Sequence, residues 1–251
     1  MSITGPEGGE PCRVGSSVGD IFSGHQAAIG ILAALIYREK SGKGKHYDDA
    51  MVDGLFAVLE NAVVRHALSG EIPIPLGSRH PYITPFQSFK TKDTWIIAAV
   101  GTDALWTRFC KAIDREDLTG DPRFKTNPLR TEHVKELISI ISEEICKKTT
   151  KERSVLFEKA DLPYSSINSM KDICVDPHIR YRNMLADIDQ PEVGRMTITG
   201  SPMHLSETPG EVYAPAPLLG QHAEEILRDV LNYSQVEIDQ LREEGIISEE
   251  N

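Results

Sequence analysis

The sequence predicts an α/β protein in two parts. Three observations carry that reading. Apolar residues recur at helical spacing over residues 27–40, 50–68, 103–113, 129–147, 150–160, 222–231 and 234–244. Short strand-like runs lie at 82–89, 95–100 and 196–205. Two proline-bearing stretches, 71–79 (Pro73, Pro75) and 208–219 (Pro209, Pro215, Pro217), read as linkers, because proline stiffens connections that few contacts cross. The expected division is residues 1–79 and 205–251 in a large domain and 80–204 in a small α+β domain.

Each element has a local reason. Residues 1–13 are polar, rich in Gly and Pro, and read as loop. Ile29, Ile31, Leu32, Leu35 and Ile36 leave the first helix little polar surface, so it reads as mostly buried. Gly42 and Gly44 end it; the turn closes a helix and lacks phosphate-loop spacing. Leu55, Phe56, Val58, Leu59, Val63 and Val64 form the core face of the second helix. Two strands meet around Lys92-Asp93-Thr94, and Thr102 or Asp103 caps the next helix. Asp121-Pro122-Arg123-Phe124 is a turn. Ile138, Ile141 and Ile145 are core by spacing, and Trp95 and Trp106 read as core of the small domain. A short helical stretch precedes residues 180–189. Ser234 caps the last helix and Gly245 ends it.

The stretch Val14-Gly15-Ser16-Ser17-Val18-Gly19-Asp20-Ile21-Phe22-Ser23-Gly24-His25 stands out. Asp20 lies among small residues at the start of an apolar helix. There the helix dipole and unpaired N–H groups favour the ionised carboxylate, which can act as nucleophile or base. The plainer reading is an N-cap. Asp48, Asp49 and Asp53 are close in sequence, but adjacent acids face different ways, so no metal is expected.

Composition narrows the partners. Lys and Arg number 27 against 38 Asp and Glu, a net charge of −11 over 251 residues. That argues against nucleic acid and anionic membrane, though not against a small anionic ligand. Cys12, Cys110, Cys146 and Cys174 form no CxxC pair. No apolar run is read as long enough to span a bilayer, and the protein is expected to be cytoplasmic.

The order of these pieces resembles the class III CoA-transferase (CaiB/BaiF) family from Gly19 to Ile247. Gly19-Asp20-Ile21-Phe22-Ser23-Gly24 followed by Ala28-Ile29-Gly30-Ile31-Leu32-Ala33-Ala34-Leu35 looks like the segment holding the family's catalytic aspartate. Gly77-Ser78-Arg79-His80-Pro81 with Thr84-Pro85-Phe86-Gln87-Ser88-Phe89 resembles the start of its small domain. Asp121-Pro122-Arg123-Phe124, Asp176-Pro177-His178, Gly200-Ser201-Pro202 and Pro217-Leu218-Leu219-Gly220-Gln221-His222 resemble further signatures.

The resemblance implies an acyl-CoA and a small carboxylic acid as substrates, coenzyme A as the transferred group and no metal. Asp20 would attack the thioester to give a mixed anhydride, then an aspartyl-CoA thioester. Backbone N–H groups would hold the oxyanion, with Gly19 and Gly24 permitting close approach. The formyl-CoA/oxalate branch carries a glycine run where this chain has Leu76-Gly77-Ser78-Arg79-His80-Pro81, so a succinyl-CoA-type branch with dicarboxylic or hydroxy-acid acceptors is favoured. Arg79 can clamp a second carboxylate; as a plainer alternative it is a surface residue. His80 is a ligand or a structural histidine. The family's fold begins with a Rossmann-like half that supplies most CoA-binding residues, and nothing here matches it. The chain is therefore expected to be a fragment, a truncated form or one subunit of a split enzyme, working as a homo-oligomer or with a complementary N-terminal-half chain. Two alternatives stand beside the transferase: an α-methylacyl-CoA racemase of the same family, and a non-catalytic assembly subunit.

Overall fold

The structure is a computed structural model that describes residues 1–247, Glu60 by its backbone alone. The chain divides into two compact units, 1–167 and 168–251. That boundary lies inside the 80–204 segment.

The first unit opens with a loop and a long helix, α1 (Val18–Ser41). Gly42 ends it in the left-handed conformation, φ 68°, with its N–H donating to the Arg38 carbonyl. The apolar stretch beyond is two helices, α2 (Met51–Ala57) and α3 (Glu60–Ser69), where a single helix over 50–68 is expected from sequence. The break falls at Val58 and Leu59, with ψ of −2° and 14°. Both are apolar, so the residues carry no breaker signal there.

Next come β1 (Phe86–Lys90), β2 (Trp95–Ala99), α4 (Asp103–Ala112), α5 (Asn127–Glu132), α6 (Val134–Ile145), α7 (Thr150–Lys159) and β3 (Tyr164–Ser166). The strands form one antiparallel sheet in the order β1-β2-β3. Thr102 caps α4 by accepting from the Leu105 N–H, and Thr149 with Glu152 forms a capping box on α7. The helix expected over 129–147 is interrupted at His133, and Pro128 opens α5. Phe89, Ile96, Trp106, Phe109, Phe124, Leu137, Ile141, Ile145 and Phe157 fill the core between sheet and helices. Trp106 is buried as expected, but Trp95 is 46% exposed. Ile96 and Ala98 of β2 face inward, so the alternation of the strand turns Trp95 out.

Arg130 is buried inside this core. Its Nε donates to the Thr84 carbonyl (2.8 Å), Nη1 to the Phe124 carbonyl (3.1 Å) and Nη2 to Asp103 (2.8 Å). The guanidinium lies 5.0 Å from the Trp106 ring centre. A buried cation is tolerated when its donors are met in this way.

In the second unit, α8 (Met170–Ile173) and α9 (Pro177–Tyr181) lead to a hairpin of β4 (Leu185–Gln190) and β5 (Gly194–Thr199). β4 was hidden in sequence by Asp187 and Asp189, which alternate with Ala186 and Ile188. Asp187 is held by Arg195 and Thr197 across the hairpin. β5 stops at Thr199, ahead of Pro202, and not at 205. Helix α10 (Ala223–Glu225) runs into a π turn over Ile226–Val230, and α11 (Gln235–Glu243) starts from a Ser234–Glu237 capping box.

Two expectations about α1 change. The helix read as mostly buried has one buried residue, Ser23. It is also long and apolar enough, by length and composition alone, to cross a membrane. The sequence reading missed this because it began the helix at Ala27. The actual start at Val18 adds Ile21 and Phe22 to the apolar run.

Candidate functional site

Asp20 is the third residue of α1. The N-cap is Ser17, which makes no side-chain capping bond. Asp20 is therefore not a cap. Its exposed carboxylate has no hydrogen bond or ion pair among the described residues. It stands in the first turn, where the helix dipole is positive. The Ile21 N–H is taken by the Ser17 carbonyl.

Small residues hold this turn in place. A Cβ on Gly19 would lie 3.4 Å from Leu55, and a Cβ on Gly54 would lie 3.4 Å from Phe22 and 3.5 Å from the Ser23 hydroxyl. The α1–α2 seam is thus built on Gly19, Ser23 and Gly54, with Asp20 beside it. Gly24 has open space where a side chain would go. It lies a full turn into the helix, where N–H groups bond to carbonyls four residues back. The Nδ1 of His25 bonds to the Ile21 carbonyl at 2.7 Å, which ties that ring to its own helix.

Further along α1, Gly30 admits the Tyr47 ring; any Cβ there would overlap it. The Tyr47 hydroxyl reaches the Gln26 carbonyl (3.1 Å) and Asp49 (3.2 Å). Burial and Asp49 push its pKa up. This clamp folds the segment after α1 back along it. Tyr47 had no sequence signal, because nothing in the residues pairs it with a glycine 17 positions earlier.

Arg79 and His80 sit in the linker after α3. The Arg79 side chain is 17% exposed and pairs with Glu7 at 3.9 Å. The Gly77 N–H donates to the Gly5 carbonyl, so the N-terminal loop lies against the linker. Arg79 lines a cavity of about 300 Å³ with Glu7, Ser78, Gln87 and Lys135. It also lines a smaller one of about 170 Å³ with Asn61 and Arg65.

The Nδ1 of His80 accepts from two backbone N–H groups, Tyr82 at 3.1 Å and Ile83 at 3.0 Å. The neutral ring therefore carries its proton on Nε2. It stacks on Phe86 at 5.3 Å, and burial lowers its pKa. His80 thus shapes the turn before β1 and leaves only Nε2 for a ligand. Among the described residues no group of His, Cys, Asp and Glu has the arrangement of a metal site.

A helix-borne carboxylate without partners and an arginine-bearing linker match the segments that first suggested the family. The chain belongs to CoA-transferase family III, whose sequence model matches residues 1–223. It is 33% identical to human succinyl-CoA:glutarate CoA-transferase over 99% of this chain and 57% of that protein. It is 36% identical to succinyl-CoA:mesaconate CoA-transferase of Haloarcula hispanica over 90% of this chain and 57% of that protein. A CaiB/BaiF family crystal structure from Brucella suis superposes with a TM-score of 0.74 at 29% identity, over 92% of this chain and 60% of that one. The chain thus spans a little over half the length of the curated relatives it matches.

Proposed function

We propose that this chain supplies the reacting carboxylate for moving coenzyme A from an acyl-CoA to a small carboxylic acid. The observation that carries the reading is Asp20: an exposed, unpaired carboxylate in the first turn of α1, within the matched family segment. Its oxygen attacks the thioester carbonyl, the C–S bond breaks, and CoA leaves as thiolate. The mixed anhydride is then opened by that thiolate at the aspartyl carbonyl, which frees the donor acid and leaves aspartyl-CoA. The acceptor acid repeats the steps in reverse. A carboxylate suits both directions because it is a weak base and leaves readily. The relatives' names point to dicarboxylic acids as acceptors, and Arg79 is the residue proposed to hold the distal carboxylate, with His80 shaping the turn beside it. Gly19 lets the backbone approach the oxyanion closely.

The same reading includes a complementary half. The apolar face of α1 (Ile29, Ile31, Leu32, Ile36) is exposed, and surfaces of that kind mark missing cover. We propose that a polypeptide like the family's N-terminal half covers it and brings the CoA-binding residues, in a homo-oligomeric assembly with the division 1–79, 80–204 and 205–251. A cytoplasmic setting fits the four free cysteines.

Asp20→Asn tests the chemistry. It keeps the shape and removes the nucleophile. Transfer by the complemented enzyme should vanish, while the melting temperature falls only slightly, because Asp20 makes no bond to lose and gives up only its interaction with the helix dipole. Hydroxylamine trapping after acyl-CoA, read by mass spectrometry, should mark Asp20 in the parent. A mark on another residue, or an active variant, overturns the assignment. Exchange of the α-proton with solvent deuterium, without transfer, would identify a racemase instead.

A further inference from the structure

We infer that Arg65 and Arg79 form a binding site for the carboxylate of a short-chain organic acid, with Glu7 drawing on the Arg79 charge from outside the cavity. This deepens the role proposed above for Arg79 and takes its functional meaning from that reading; the binding itself stands on geometry within the first unit.

Arg65 and Arg79 line one cavity of about 170 Å³, together with Asn61. Both side chains are mostly buried, at 15% and 17% exposed. Each has a single carboxylate partner, Glu71 for Arg65 and Glu7 for Arg79, and neither of those acids lines this cavity. Two like charges therefore border a cavity whose lining includes no acid. Arg65 adds a second sign. Its Nε is buried and has no hydrogen-bond partner among the described residues, a costly state for a charged donor. Arg65 is otherwise fixed, with Nη2 on Glu71 and its guanidinium 5.1 Å from the Tyr82 ring centre. An anion in the cavity would supply the negative charge that its lining lacks.

The walls decide which anion. Ile74 and Leu76 line the cavity beside the arginines. An alkyl acid can lay its chain on them and present its carboxylate to the guanidinium groups. Phosphate, hydrated on every side, gains nothing from such walls. The Arg79–Glu7 pair, at 3.9 Å, is the longest ion pair among the described residues, and Glu7 sits in the glycine-rich N-terminal loop with its side chain about half exposed. It therefore offsets only a small part of the Arg79 charge.

The test is ¹H–¹⁵N NMR of the arginine Nε–H signals in the full 251-residue chain, titrated with glutarate at constant ionic strength in chloride. We expect saturable shifts of the Arg65 and Arg79 signals. Arg65→Gln and Arg79→Gln should each weaken binding about tenfold, the loss of one charge-assisted contact. Glu7→Gln should tighten it, and Asp20→Asn should leave it unchanged. Shifts that track ionic strength alone, or saturable binding that both glutamine variants keep, overturn the site. Inorganic phosphate binding as tightly as glutarate overturns the carboxylate assignment. The native-chain titration needs no variant, so a variant that fails to fold does not remove the test. Binding is read without turnover. A failure here leaves the Asp20 chemistry standing, and an inert Asp20 leaves this site standing.

Discussion

Within the first unit, residues 18–69 and residues 84–162 are equally apolar to the eye and differ completely in what the apolar groups touch. In the second region, Phe89, Ile96, Phe109, Phe124, Leu137, Ile141 and Phe157 are essentially free of solvent. In the first, Ile29, Ile31 and Leu32 of α1 are each more than half exposed, as are Val52 and Phe56 of α2. The later region is a self-sufficient core. The earlier one carries the proposed chemistry on helices that, among the described side chains, have one that is buried, Ser23. Hydrophobic composition says that a surface must be covered; it does not say by what.

The largest expected effect follows directly. Phe109→Ala empties a filled site packed between Trp106 and Phe157, and should cost about 3–5 kcal/mol. Ile29→Ala, on exposed α1, should fall within about 0.5 kcal/mol. Urea melts of the two variants measure the contrast. Equal losses would show that α1 is packed in solution, and the comparison would fail. With the proposed N-terminal half present, the loss on Ile29→Ala should grow to the range of a buried aliphatic truncation. Flotation with liposomes supplies the opposing outcome: if α1 is instead a membrane span, the chain should float.

The next effect is local. Gly30→Ala drives a Cβ into the Tyr47 ring, so the part-exposed ring must swing out and release its bonds to Gln26 and Asp49. It should open the segment after Gly42, where Lys43 and Lys45 are exposed trypsin sites. Cleavage there should speed up by about an order of magnitude, while the melt of the 84–162 core stays in place. A shift of the whole melt would mean that the two regions unfold as one.

How much of this was legible in the sequence divides along the same line. The core was read well because its signals are local. Thr102 caps α4, and Ile141 and Ile145 recur at helical spacing; outside the core, Ser234 is an equally local signal for α11. The site was legible in part. Asp20 stands out by its small neighbours and by the segment's resemblance to a family. What could not be read depends on contacts far apart in the chain. Arg130 looks like any helical arginine until Thr84, Phe124 and Asp103 close around it. Tyr47 and Gly30 have meaning only together, and so do Arg65, Arg79 and Glu7. Trp95 was misplaced because strand alternation, not hydrophobicity, decides which face it takes. The apolar pattern of α1 calls for cover, but it does not say whether that cover lies within this chain or in another half.

The smallest expected effect is at the junction of the two regions, in the turn held by His80. The ring accepts two N–H groups at Nδ1, so protonation there would oppose them and break the turn. Its pKa is accordingly lowered from 6.5 by burial. The sign follows from linkage. The unfolded chain takes up a proton near pH 6.5, while the folded chain resists it to lower pH, so stability from this group is complete above about 6.5 and declines as pH falls from there towards the folded value. Asp93 marks a separate window. Its carboxylate accepts from the Thr150 and Thr94 N–H groups and the Thr91 hydroxyl, which holds its pKa to about 2. Its share of stability is present above the ordinary carboxylate range near 3.8 and is lost as pH falls towards 2. Urea melts at closely spaced pH values between 7.5 and 5 should therefore show a shallow loss that His80→Gln flattens, while the acid-range loss persists in that variant. If His80→Gln leaves the slope between pH 7.5 and 5 unchanged, the turn does not depend on the neutral ring, and the join between the bare helices and the packed core is set by other groups.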